Sequence, residues 1–247
     1  TVAALYDAHI KAFQDYPRIH YYRAEIHSGR KEWADAGGHF DQYLKNLESF
    51  EEEKIDKKLK PRAALSAVQT WAKAFESNKK FAPKVLDAAD KFLKLLPKHK
   101  LAPQVSADAA KLELKNDRPI MALRRIQFLI DRYPKTKEAV ESVNAALDIL
   151  NKEKDYVNLA RRARIWLDSI KTWAPKKDIP KIKLSLNKIL SKTEAKACEA
   201  LGDKKEKRLE AALCYSEFAR QSKDNATASK ALFAAHKLYL SLIHISE

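Results

Sequence analysis

The chain has 247 residues, with 48 Lys and Arg against 33 Asp and Glu, and a formal net charge of +15 at pH 7. Its four glycines form neither G-x-G-x-x-G nor a Walker loop, which excludes the usual phosphate-binding turns of nucleotide-binding α/β proteins. Good helix formers dominate the composition, and no apolar run approaches the roughly 18 residues of a membrane span. We therefore predict a basic, soluble, all-α protein.

A residue followed by proline closes an apolar helical pattern at three places in the chain. The pairs are Tyr16-Pro17, Leu96-Pro97 and Tyr133-Pro134. Because proline removes a backbone donor and disfavours a helical conformation in the residue before it, each pair predicts a helix end. The last two prolines lie 37 residues apart, and Pro17 and Pro97 lie 80 apart, which is close to two such periods. This spacing indicates a helical repeat with a period near 37 residues.

An aromatic residue, a small residue one turn later and an aromatic–leucine pair also recur. The two runs are Trp33-x3-Gly37-x5-Tyr43-Leu44 and Tyr156-x3-Ala160-x5-Trp166-Leu167. The small residue allows a neighbouring helix to approach closely, and the aromatic side chains fill the groove beside it. With looser matches in between, the pattern predicts helix starts at 33, 81, 119 and 156.

The segments between these starts carry apolar residues at helical spacing, which predicts a partner helix in each. One stripe is Ala64, Val68, Trp71, Ala72 and Phe75, and the other is Ala139, Val143, Ala146 and Ile149. Polar runs at 115–117 and 151–155 predict turns between helices. Segment 51–60 is predicted to be a solvated helix or a linker. The block 174–183 contains two prolines and is the best candidate for a break.

Together these features resemble tetratricopeptide repeats, most closely the longer-period repeats of bacterial cell-envelope proteins. The runs Phe13-Gln14-Asp15-Tyr16-Pro17 and Ile130-Asp131-Arg132-Tyr133-Pro134 carry the resemblance best. The strict 34-residue opening Trp-x2-Leu-Gly-x2-Tyr is missing. The resemblance implies an all-α superhelix (solenoid) of stacked antiparallel helical hairpins that binds peptides or proteins on its concave face.

We predict four regions along the chain. They are a hairpin array at 1–173, an irregular basic connector or helix at 174–192, further hairpins at 193–239 and a tail at 240–247. The tail resembles a translated sequencing-library adaptor, and the alternative is a natural terminal strand. The absence of an initiator Met and of an apolar leader at Thr1 suggests a fragment, so the localisation stays open, with a periplasmic or envelope location favoured.

The sequence offers no constellation typical of catalysis or of metal binding. The seven histidines include no H-E-x-x-H, and His20 and His27 lie two turns apart, too far to share a metal within one helix. Carboxylates cluster at 51–53 and at Asp87 and Asp90, but not within apolar sequence that would desolvate one of them. We therefore predict no enzyme, no cofactor and no metal.

Cys198 and Cys214 flank a predicted turn at 202–205 and are equidistant from position 206. In an antiparallel hairpin they would face one another and could form a disulfide, which would imply an oxidising compartment. The alternative is a pair of buried, reduced cysteines that act as small apolar side chains.

The positive charge is concentrated in residues 57–104 and 161–192, and such patches attract polyanions. The alternative is an ordinary solvated, lysine-rich surface. The candidate anion-binding or partner-binding residues are Lys79, Lys80, Lys84, Arg161, Arg162 and Arg164. The leading functional hypothesis is a non-catalytic scaffold that binds a peptide or protein partner as part of a bacterial envelope assembly. A nucleic-acid-binding repeat protein is the alternative, and the oligomeric state is unknown.

Overall fold

The structure is a computed structural model that describes residues 4–5, 8–9, 12, 17–47, 58–222 and 224–243. Between 17 and 243 the described residues form twelve α-helices and short 3-10 turns, without a β-strand. The helices are α1 Pro17–Gly29, α2 Trp33–Asn46, α3 Leu59–Ser77, α4 Ala82–Leu95, α5 Ala102–Lys115, α6 Pro119–Arg132, α7 Lys137–Lys152, α8 Tyr156–Asp168, α9 Ile170–Trp173, α10 Ile179–Gly202, α11 Arg208–Gln221 and α12 Asn225–Ile243.

The chain divides into two compact units, Thr1–Arg125 and Ile126–Glu247, and the division falls within α6. In the first unit, α1 packs on α2, α2 on α3, α3 on α4 and α4 on α5. In the second unit, α7 packs on α8, α8 on α10, α10 on α11 and α11 on α12. Successive helices that are joined by short turns and packed on each other form helical hairpins. The prediction of an all-α helical-repeat fold is confirmed within each unit.

The same backbone turn precedes α2, α6 and α8. In each case one non-glycine residue has a positive φ, and the next amide donates a 2.9 Å hydrogen bond to the carbonyl five residues earlier. The positive-φ residues are Lys31, Asp117 and Lys154, and the donor–acceptor pairs are Glu32–His27, Arg118–Glu113 and Asp155–Leu150. This bond is characteristic of a Schellman helix end. The repeated turn confirms the predicted helix starts at 33, 119 and 156.

The fourth predicted start, at 81, is early by one residue. A 3-10 turn at Lys79–Phe81 comes first, with the Asn78 side chain accepting a 3.0 Å hydrogen bond from the Lys80 amide, and α4 begins at Ala82. The predicted helix ends before Pro97 and Pro134 are confirmed, because α4 ends at Leu95 and α6 at Arg132. The helix end predicted before Pro17 lies outside the described residues, which do not include 13–16. Pro17 itself is the first residue of α1, where its missing amide costs no hydrogen bond.

The predicted stripe of α7 is buried, and its residues are at most 7% exposed. In α3 the stripe divides. Ala64, Trp71 and Phe75 are buried, whereas Val68 and Ala72 are half-buried and line a groove. The helix predicted from this stripe is confirmed as α3, and two of the five residues line a groove instead of the core.

The C-terminal part of the chain is helical where the sequence suggested interruptions. The block 174–183 lies in the second unit, as a 3-10 turn at Lys176–Asp178 followed by the start of α10. Helix α10 also runs through the predicted boundary between 192 and 193. Residues 240–243 continue α12, so the alternative of a strand is wrong for that part of the tail, and 244–247 lie outside the described residues. None of the helices described is both long enough and apolar enough to cross a membrane.

Candidate functional site

Helices α3, α4 and α5 enclose a groove of about 510 Å³, which we call the unit 1 groove. Its apolar walls include Leu65 and Val68 of α3 and Val105 and Leu112 of α5. Alanines of all three helices lie between these walls, at Ala72, Ala89 and Ala109. Their side chains are too short to fill the space between the helices. The groove is thus a consequence of small residues on facing helices.

The mouth of the unit 1 groove is charged. Three lysines and two carboxylates line it, namely Glu76, Lys79, Asp108, Lys111 and Lys115. The Asp108 carboxylate accepts hydrogen bonds of 2.9 Å from the Gln104 side-chain amide and lies 3.7 Å from Lys111 Nζ. Asp108 and Lys111 offset each other, and the three lysines and two carboxylates together leave one net positive charge at the mouth.

The three predicted lysines lie in the 3-10 turn between α3 and α4 and in the first turn of α4, each over a different aromatic ring. Lys79 Nζ lies 4.2 Å from the centroid of the Phe75 ring, Lys80 Nζ lies 5.1 Å from that of Phe81, and Lys84 Nζ lies 5.7 Å from that of Trp71. Cations over aromatic faces gain electrostatic stabilisation from the ring quadrupole. Of the three, Lys79 also lines the unit 1 groove.

Trp71 joins α3 to α2. Its ring lies directly against Gly37, where an added Cβ would be 2.6 Å from Trp71 Cε2. The indole N–H donates a 3.0 Å hydrogen bond to Asp41 Oδ2. Burial raises the pKa of the Asp41 carboxyl above its ordinary value, although Lys91, 3.6 Å away, and the indole hydrogen bond both act to lower it. The predicted role of the small residue at 37 is therefore confirmed.

A buried carboxylate fixes the α5 wall of the groove. The Glu113 side chain is 1% exposed and accepts a 3.0 Å hydrogen bond from Arg125 Nε, and Arg118 Nε lies 3.3 Å from its other oxygen. Arg125 also donates bonds of 2.6 and 3.0 Å to the two oxygens of Asp90 on α4. These hydrogen bonds, the Asp90 ones first, raise the pKa of Arg125. Sequence spacing could not reveal this network, because Asp90 lies 35 residues before Arg125 and on another helix.

The three predicted arginines do not form one cluster. Arg161 and Arg164 line a second groove, of about 310 Å³, between α8, α10 and α11, which we call the unit 2 groove. Arg164 is ion-paired with Glu194, and Arg161 donates a 2.5 Å hydrogen bond to Asn158. Arg162 instead contacts the Gln127 side chain at 3.0 Å and lies over the Trp166 ring.

Cys198 and Cys214 lie on facing helices, α10 and α11, and line the unit 2 groove. Their Cα atoms are 5.5 Å apart and their sulfur atoms are 2.08 Å apart, which corresponds to a disulfide. The turn predicted between them is present, since α10 ends at Gly202 and α11 begins at Arg208.

A group of histidines joins α1 to α2. The His27 and His39 rings are stacked with their centroids 5.2 Å apart, and His20 Nδ1 lies 3.2 Å from His39 Nδ1. His27 Nδ1 lies 2.5 Å from Glu32 Oε2. Burial, followed by the nearby His20, His27 and Arg23, lowers the pKa of His39 to about 4, so its ring is neutral at pH 7. Sequence spacing within one helix could not reveal this group, because its members come from two helices.

No protein-family model matches the chain, and no curated protein matches it. A similar solved structure is described as "Crystal structure of YrrB: a TPR protein with an unusual peptide-binding site". It shares 12% sequence identity with this chain at a TM-score of 0.36, covering 96% of this chain and 93% of that chain. The helical hairpins are assigned from the packing of successive helices within each unit. The resemblance to tetratricopeptide repeats stays a prediction.

Proposed function

We propose that this chain is a non-catalytic interaction protein that binds a segment of a peptide or protein partner in the unit 1 groove. The observation that carries the proposal is a groove of about 510 Å³ with apolar walls on α3 and α5 and a positively charged mouth. Concave, largely apolar sites with a few polar groups are typical binding sites.

The chemistry of the groove defines the partner segment. Apolar side chains would cover the half-buried Leu65, Val68 and Ala72, and this burial would supply most of the affinity. Acidic side chains would face the lysines of the mouth. Exposed ion pairs contribute only about 0.2–1 kcal/mol each, so the lysines would mainly orient the segment and accelerate its association.

The polyanion alternative has less support. Arg164 is neutralised by Glu194, and Arg162 is directed to Gln127, so the densest arginine run of the sequence does not present three cations to one ligand. Binding to nucleic acid would fall steeply with salt. Binding that is driven by the burial of apolar surface would depend only weakly on the salt concentration.

We also propose that the chain and its partner form part of an assembly in a bacterial cell envelope. Its support within the chain is the pair Cys198 and Cys214, placed for a disulfide, because disulfides persist in oxidising compartments such as the periplasm. Thiol counting on protein recovered from each compartment of its host would test this part of the proposal.

Display of random peptides against the purified chain tests the groove. We expect the selected peptides to combine apolar and acidic residues. We expect Gln69→Trp, a change at an exposed residue of the groove wall, to weaken their binding at least tenfold. Arg62→Trp places the same indole on α3 at an exposed residue outside the groove and should leave binding unchanged.

A second pair of variants tests the charged mouth. Reversal of Lys111 and Lys115 to Glu should weaken binding, whereas reversal of the exposed Lys94 and Lys98, which lie outside the groove, should not. Equal binding by all the variants would overturn the proposal. Selected ligands that are uniformly acidic, and that bind with a steep salt dependence, would favour the polyanion alternative.

A further inference from the structure

We propose that the turn between α1 and α2 binds one divalent transition-metal ion, of the kind exemplified by Zn²⁺, through His27, Glu32 and Asp35. Each of these side chains offers a ligand atom, and the three atoms lie within 4.8 Å of one another. The site is independent of the unit 1 groove and does not rest on the proposed function.

The backbone explains why these side chains meet. His27 lies in the last turn of α1, Glu32 is the residue before α2, and Asp35 lies in the first turn of α2. Lys31 has a φ of 62°, and the Glu32 amide bonds to the His27 carbonyl at 2.9 Å, which folds the chain back on itself. This tight turn places both carboxylates beside the His27 ring.

The matching turns elsewhere in the chain show what is particular to this one. In the turn before α8 the corresponding backbone bond joins Leu150 and Asp155, and in the turn before α6 it joins Glu113 and Arg118. The position of His27 is therefore taken by a leucine in one turn and by a carboxylate paired with arginine in the other. Imidazole and carboxylates meet at the first of these three turns.

The donor set suits a borderline metal ion. Imidazole nitrogen and carboxylate oxygen both bind Zn²⁺, at about 2.0–2.2 Å, so ligand atoms around one tetrahedral ion lie about 3–3.5 Å apart. His27 Nδ1 and Glu32 Oε2, now 2.5 Å apart, would move slightly apart as the ion replaced the proton between them. Asp35 would move closer, which its exposed side chain allows.

The surroundings hold the nitrogen ligand and leave the ion accessible. The His27 residue is 9% exposed, and its ring is stacked on His39, which limits its rotation. Glu32 and Asp35 are both exposed, so solvent reaches the carboxylate side of the site. Three protein ligands leave a fourth position for water or for a side chain of a partner.

The test is a calorimetric titration of the chelator-treated full chain, free of any histidine tag, with Zn²⁺. We expect one equivalent to bind, and we expect Glu32→Gln and Asp35→Asn each to weaken binding at least tenfold. Glu25→Gln, at an exposed carboxylate of α1, is the matched control and should bind zinc as the unchanged chain does. Cobalt absorption would check that nitrogen and oxygen ligands surround the ion.

Both carboxylates also lie near the N-terminus of α2, where negative charge stabilises the helix dipole. A purely structural role would therefore lower the stability of the variants without any saturable zinc binding by the unchanged chain. Absence of saturable binding would overturn the proposal. So would binding that survives in the Glu32→Gln, Asp35→Asn double variant.

Discussion

Helices α2 and α8 carry the same pattern of an aromatic residue followed by a small residue one turn later, but each packs differently on its neighbour. In α2 and α3, Gly37 receives the Trp71 ring, and the indole reaches Asp41 four residues further on. In α8 and α10, the matching small residue is Ala160, and the unit 2 groove of about 310 Å³ remains beside it.

In both helices, the residue four positions after the small residue makes a polar contact with the neighbouring helix. Asp41 bonds to Trp71 in the first pair, and Arg164, at the matching position, pairs with Glu194 in the second. The small residue thus makes room for a neighbouring helix, and the side chain offered by that helix decides whether the room is filled. The Trp71 indole fills the space beside Gly37. The space beside Ala160 remains a groove, which is lined by Cys198 and Cys214.

The largest expected effect is that of removing the indole that closes the first contact. We expect Trp71→Ala to lower the free energy of unfolding by about 3–5 kcal/mol, because a side chain only 4% exposed leaves a cavity. Urea unfolding followed by circular dichroism measures the loss, and hydrogen exchange of α2 and α3 locates it. A loss below about 1 kcal/mol would show that the indole does not hold this contact together.

The next largest effect concerns the cysteines of the second contact. Closing a loop with a sequence separation of 16 residues stabilises a protein by about 3 kcal/mol in the chain-entropy description. We therefore expect a Cys198→Ala, Cys214→Ala variant to unfold at lower urea than the oxidised chain. Two free thiols in the unreduced protein would contradict the bond.

Adjacent glycines in α2 allow a sharper comparison. Gly37→Ala would press a Cβ against the Trp71 ring and should destabilise the chain by about 1–3 kcal/mol. Gly38→Ala meets nothing within 4 Å, so it should stabilise the helix by about 0.5–1 kcal/mol. The opposite signs distinguish close packing from helix propensity. Equal effects in thermal or urea unfolding would contradict the contact at Gly37.

The smallest effect is expected at the position that matches Gly37 in the second unit. Ala160 is half-buried and borders open space, so Ala160→Leu should change stability by less than about 1 kcal/mol. A loss as large as that of Gly37→Ala would show that the unit 2 groove is closed in solution.

Much of the local structure was predictable from the sequence. Prolines at 97 and 134 and the aromatic starts at 33 and 156 mark helix boundaries, because they act through the backbone or through one adjacent helix. The same reasoning placed Val68 and Ala72 on the apolar stripe of one helix. It could not foresee that alanines on three helices would leave these residues lining a groove, because that depends on distances between helices.

The site residues likewise divide into those that are close in sequence and those that only the fold brings together. Lys79, Lys80 and Lys84 are close in sequence and lie in or just after one turn, as expected of neighbours. His27, Glu32 and Asp35 meet only because a positive-φ turn at Lys31 folds α2 back on α1. Charge density along the sequence likewise did not show that Arg164 is neutralised by Glu194.

The measurement that tests the central claim most directly is amide chemical-shift mapping of the isotope-labelled chain with a peptide selected by display. Binding in the unit 1 groove predicts that the perturbed amides include those of Val68 on α3 and of Val105 and Leu112 on α5, with no change at Val157 or Phe218 of the unit 2 groove. Perturbations confined to the unit 2 groove would contradict the claim.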